Sequence, residues 1–218
     1  MRAHTKRNRQ HRKGLTLLET MMALTIIGVG VLAFVDAQAA FTRSNAWSSQ
    51  SATAMLLANE IREFTRKLSR HDPVTGLELD NGTLRGWAME SAEVDATDID
   101  DVDDLDGATF GNGGTFEGPI DAEGNVIPSI DLSGVIQTDE DDNIIPLQGW
   151  RQRVIVEKVD PYNFLTVRAD NYQQAQSASL PFIAVDEFPL RVTVIVEYQS
   201  LTDIDPKEVT RLTFIVPR

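Results

Sequence analysis

Residues 15–35 read LTLLETMMALTIIGVGVLAFV, an apolar run of 21 residues broken by one charge, Glu19. As a helix this run is about 31 Å long, enough to cross a bilayer core. The flanks add a direction. Residues 1–14 carry Arg2, Lys6, Arg7, Arg9, Arg12 and Lys13 and no acid, leaving 14 of the 20 basic side chains and all 33 acidic ones in the rest of the chain. Basic flanks stay cytoplasmic, so the chain is expected to emerge on the other side. The acidic body should repel nucleic acid and anionic lipid heads, whereas the basic head should be attracted to both. Head and body therefore belong in different places.

Three readings of this terminus compete. A secretory signal peptide has a basic region, an apolar region and a small-residue cleavage site, and Ala37-Gln38-Ala39 supplies such a site. An uncleaved signal anchor is the second. The third is a leader cut at the cytoplasmic edge of the apolar run. Glu19 bears on the choice. A charge at the centre of a membrane helix costs about 2.5–3.5 kcal/mol on insertion scales, and less near the end, where the side chain can snorkel. A signal peptide gains nothing from a carboxylate there.

Lys13-Gly14 followed by Leu15-Thr16-Leu17-Leu18-Glu19 resembles the leader junction of type IV prepilins. Ala23, Gly28, Gly30 and the stretch GVGVLA extend the resemblance to minor pilins of the type IV pilus modification class and to I-type pseudopilins of type II secretion. The resemblance implies cleavage between Gly14 and Leu15 by a prepilin peptidase. Glu19 then stands fifth in the mature chain, where it pairs with the new amino terminus of a neighbouring subunit. It also implies a single-pass protein of the bacterial inner membrane with its head outside the cytoplasm. The partners it implies are other pilin or pseudopilin subunits, and the family's mature terminus is a methylation site. Leu15 stands where the family usually has phenylalanine, and the helix proline of major pilins is missing.

The rest of the chain predicts an α+β, pilin-like fold: a long amino-terminal helix packed on an antiparallel carboxy-terminal sheet. Residues 1–14 form the leader, 15–35 the membrane and assembly half of the helix, and 36–72 its amphipathic half. In that half Ala37, Ala40, Phe41, Ser44, Trp47, Ser51, Ala54, Met55, Ala58, Ile61, Phe64 and Leu68 recur at helical spacing. Joined, the two halves give a helix of about 55 residues, or two helices with a break near Gly28–Gly30. Residues 73–149 read as an acidic, loop-rich region with short strands near 77–88 and 126–136. Residues 150–218 hold four β-branched, alternating stretches, 153–159, 164–168, 190–198 and 209–216. The segments GWRQRVIVEKVDP and VTRLTFIV are similar to the sheet of the same minor-pilin class.

Chemistry is limited by composition. The chain has no cysteine and only three histidines, His4, His11 and His71, which excludes thiolate sites and leaves histidine-based triads without support. No phosphate loop, nucleophile elbow or zinc-protease helix motif occurs, so an enzyme is not expected. Asp98, Asp100, Asp101, Asp103, Asp104 and Asp106 crowd into nine residues, and the DDVDD string is similar to one in minor pilins of the haemagglutinin-pilus D type. Clustered carboxylates suit calcium, although the spacing is not that of an EF-hand. Asp139, Asp141 and Asn143 form a second, shorter candidate. Against calcium stands a solvated acidic loop that keeps the surface soluble. The rival to a pilin is a secreted acidic calcium- or ligand-binding module released after Ala39.

Overall fold

The computed structural model describes residues 16–89 and 93–218. It divides into two compact units, Met1–Ser48 and Ser49–Arg218. The fold is α+β and pilin-like: one long helix followed by antiparallel sheet.

Helix α1 spans Leu17–Thr65, 49 residues without the break considered at Gly28–Gly30. Its start is fixed by a reciprocal cap. Thr16 N–H donates to Glu19 Oε2 at 3.3 Å, and Glu19 N–H donates to Thr16 Oγ1 at 3.4 Å. Thr-x-x-Glu is the sequence form of that cap. The helix ends seven residues earlier than expected at 72. Arg66, Lys67 and Leu68 donate to carbonyls three residues back. Ser69 then leaves the helical path to pair with the acidic segment: Ser69 N–H donates to Asp100 O at 3.3 Å, and Val102 N–H to Ser69 O at 2.9 Å. That second partner outcompetes helix propensity.

Within the first unit, α1 residues 17–48 are almost wholly exposed, including Leu17, Met21, Leu24, Ile27, Val31, Phe34, Phe41 and Trp47. Phe41 and Trp47 were expected on the packed face and are not buried.

In the second unit, α1 buries Ala54, Leu57, Ala58, Ile61, Phe64 and Thr65. Strands β1 (Glu78–Asp80) and β2 (Thr83–Arg85) form a separate hairpin. Strands β3 (Thr109–Gly111), β4 (Trp150–Asp160), β6 (Leu190–Tyr198) and β7 (Lys207–Val216) form the main sheet in that order, with β5 (Asn163–Val167) paired to the end of β4. All these pairings are antiparallel. The expected stretches in 150–218 all appear; β3 is an addition. Val154 and Val156 of β4 and Leu190, Val192, Val194 and Val196 of β6 share one hydrophobic cluster with Ala54, Leu57, Ala58, Ile61 and Phe64 of the helix. β-branched alternation puts one face of each strand into that cluster.

Residues 119–147 are organised as three successive hairpins, where a strand near 126–136 was expected. Each is built on an aspartate: Asp121, Asp131 and Asp139. In each, the aspartate N–H donates to the carbonyl four residues on at 2.9 Å, and its Oδ1 accepts N–H groups two and four residues on. The residue three on is left-handed: Gly124 (φ 84°), Gly134 (φ 83°) and Asp142 (φ 64°). The hairpins join through a closed ring of main-chain bonds, Gln137 N–H to Ser129 O, Ile145 N–H to Gln137 O and Ser129 N–H to Ile145 O. Backbone groups that a loop would leave to water are thus satisfied locally.

Candidate functional site

The processing residues Gly14 and Leu15 lie outside the described residues. Glu19 lies in the first turn of α1, exposed, with its carboxylate turned back toward Thr16. Thr16, whose N–H the acid accepts, is the second residue of the chain that cleavage after Gly14 would leave. Beyond it, α1 is long and apolar enough to cross a membrane, and none of its most apolar 18-residue window is buried. Ala37-Gln38-Ala39 lies inside the uninterrupted helix. A protease that takes extended chain finds no such segment there.

Residues 9–35 match the family model for the prokaryotic N-terminal methylation motif. The match supports a type IV pilin-like substrate of prepilin peptidase and is consistent with membrane anchoring. Comparison with curated proteins and with solved structures gives no significant match. The motif covers the last six residues of the basic leader, the Gly14–Leu15 junction, Glu19 and the apolar run, and ends before the second unit begins.

The acidic segment is not the solvated loop that its charge suggests. Asp101, Asp103 and Asp104 are buried, with Val102 and Leu105 in the core beside them. Asp101 Oδ1 accepts Asp104 N–H at 3.1 Å, and Asp103 Oδ1 lies 2.7 Å from His71 Nδ1. Asp106 Oδ1 accepts Val156 N–H of β4 at 2.9 Å. Asp98 is exposed and caps its own turn through Val94 and Asp95 N–H. The segment therefore fastens the chain after α1 to the sheet. Lys158 is its counterpart from β4: fully buried, donating to Asp170 O, with its ammonium 5.5 Å from the Trp87 ring centre and 5.8 Å from that of Phe188. Strand alternation puts Lys158 on the buried face with Val154 and Val156, although its charge argues against burial.

Burial and neighbouring charge bend the titration of this cluster. Burial pushes the Asp101 carboxyl up, and the nearby Asp103 charge adds to it. Burial, with Arg70 close by, takes His71 down to about 4. Burial takes Lys158 down to about 8, against the attraction of Asp170, Asp103 and Asp186. The signs differ. Asp101 keeps its proton where the unfolded chain has lost it, so its contribution falls as pH rises above about 4. His71 stays neutral where the unfolded chain takes a proton, so its contribution falls as pH drops from 6.5 toward 4. Asp101→Asn keeps the acceptor for Asp104 N–H and removes the alkaline cost. It is expected to melt higher than the parent at pH 8 and alike at pH 4, by circular dichroism. Equal shifts at both pH values would contradict the assignment.

The six aspartates do not converge on one point. Glu93, Asp100 and Asp104 do approach one another, each with a carboxylate oxygen within 4.8 Å of the others. With one oxygen each they supply three of the six to eight oxygens calcium takes, the rest being left to second carboxylate oxygens, carbonyls or water. At the second candidate, Asp139 Oδ1 is occupied by main-chain N–H groups, and Asn143 turns its amide donor, not its oxygen, onto Asp139.

Proposed function

We propose that the chain is a minor pilin or pseudopilin, a structural subunit of a type IV pilus or of a type II secretion pseudopilus, and not an enzyme. It is made as a prepilin and cut between Gly14 and Leu15. Residues 15–35 hold it in the bacterial inner membrane with the second unit outside the cytoplasm. The observation that carries this reading is the methylation motif over residues 9–35, joined to a helix whose most apolar 18-residue window is nowhere buried among the described residues.

The physical account follows from that pairing. Leu17, Leu18, Met21, Met22, Leu24, Ile26, Ile27, Val29, Val31 and Leu32 are exposed and meet lipid in the membrane. On extraction they meet the same residues of neighbouring helices, with close packing as the driving force. Cleavage creates an α-amino group at Leu15 with an ordinary pKa of about 7.7–8.0. An ammonium and a carboxylate are each costly in an apolar interior and tolerable as a pair. Glu19 of one subunit and Leu15 of the next therefore set the axial register.

Coexpression with a prepilin peptidase tests the reading. The expected product lacks residues 1–14, and Gly14→Val leaves the chain at full length. A wild-type chain that stays uncut beside an active peptidase would refute the proposal.

A further inference from the structure

The three-hairpin segment repeats one backbone pattern, but its copies are used differently. The first hairpin is docked on the last turns of α1 and on the turn that follows them. Ala122 N–H donates to Glu60 Oε2 at 2.8 Å, and Lys67 Nζ donates to Ala122 O at 2.8 Å and to Glu123 Oε1 at 2.7 Å. Gly124 lies so close to the Phe64 ring that a Cβ there would stand 3.3 Å from it. This turn thus receives the end of a helix: Glu60 on its main-chain N–H, Phe64 at its open glycine, and Lys67, from the turn just past the helix, on its carbonyl and one carboxylate. The tips of the other two hairpins receive no helix among the described residues. Every residue from 130 to 144 is exposed, and a Cβ at Gly134 would meet no atom within 4 Å.

The third hairpin carries the same contact set with more charge. By register from the aspartate, Glu140 stands where Ala122 does, Asp141 where Glu123 does and Asp142 where Gly124 does. Its carbonyl and carboxylate can therefore take a cation as Ala122 and Glu123 take Lys67. The carboxylate of Asp142 replaces the open spot that accepts Phe64, and favours a second cation over a ring. Ile130, Ile136 and Ile144 add exposed apolar surface nearby. Residues 119–147 contain seven acidic side chains and no basic one. That charge disfavours a second copy of the same face, an anionic membrane and nucleic acid, and favours a basic protein surface.

We propose that the third hairpin, residues 138–145, is a docking site for an α-helix of a different subunit that presents lysine or arginine at positions i and i+3. The partner's being a fibre subunit rests on the function proposed above; the helix-binding chemistry does not. The occupant is a helix because the first hairpin shows what this turn accepts, and basic because of what Glu140, Asp141 and Asp142 add.

The test uses the full chain in detergent micelles and a stapled helical peptide with two lysines spaced i, i+3, followed by fluorescence anisotropy at physiological salt. Glu140→Lys/Asp141→Lys leaves the Asp139 turn bonds in place and is expected to weaken saturable binding by about tenfold or more. Glu78→Lys/Asp95→Lys, an equal charge change on other exposed sites, is expected to weaken it less than about threefold. Circular dichroism checks that both variants fold. Equal losses in the two variants, the absence of saturable binding, or self-association through residues 138–145 would each overturn the proposal. None of these readouts depends on cleavage at Gly14, so failure here and failure of the pilin reading are separable.

Discussion

A chain carrying Glu19→Ala is expected to insert in the membrane and be processed, yet to be lost from the fibre. The cap explains why a second variant is needed. Glu19 serves its own helix through Thr16 N–H, and removing a cap of that kind costs about 1 kcal/mol. Leaving the Leu15 ammonium without a partner in an apolar assembly costs more, about 2.5–3.5 kcal/mol on insertion scales, or about 70-fold or more in incorporation. Glutamine separates the two roles. Glu19→Gln keeps an oxygen for the Thr16 N–H but carries no charge. If charge pairing dominates, Gln fails as Ala does in quantitative immunoblots of sheared fibres. Restoration by Gln would assign Glu19 to the cap alone and remove the pairing from the account.

The largest effect on folding is expected at Gln152. This side chain of β4 is fully buried. Its Oε1 accepts Ile120 N–H at 2.8 Å, and its Nε2 donates to Leu57 O of α1 at 2.9 Å and to Ile120 O at 3.0 Å. One amide thus ties helix, first hairpin and sheet together within the second unit. Gln152→Ala strands the Ile120 N–H in the core and opens a void. The expected loss is about 3 kcal/mol, since one buried unsatisfied group costs roughly 1–3 kcal/mol and the cavity adds to it. For a unit of this size that lowers Tm by roughly 6–12 °C. A variant melting within about 2 °C of the parent would show that the amide is not the tie described.

Legibility in the sequence followed the range of the interactions. The long helix and the strands in 150–218 are written in local periodicity, and both were readable. Ile61 and Phe64 fell on the expected buried face because helical spacing alone puts them there. Phe41 and Trp47 continue that spacing but find nothing to pack on among the described residues of their own unit. The acidic segment was misjudged for a different reason. Asp101, Asp103 and Asp104 look like a solvated run, and their burial depends on His71, Ser69 and β4, which are distant in sequence. The three hairpins did leave a signal: an aspartate, then glycine or aspartate three on, then Val126, Ile136 or Ile144 five on. The uneven spacing of the repeats, with Asp142 in place of glycine, hides it. The leader junction was legible because its recognition is local, a glycine and an acid at fixed separation before an apolar run.

The central claim is a cut at one peptide bond, and the mature amino terminus reports it directly. Mass spectrometry of the protein isolated from its native membrane is expected to find the chain beginning at Leu15. A chain beginning at Ala40, or one retaining residues 1–14 in assembled material, would contradict the account.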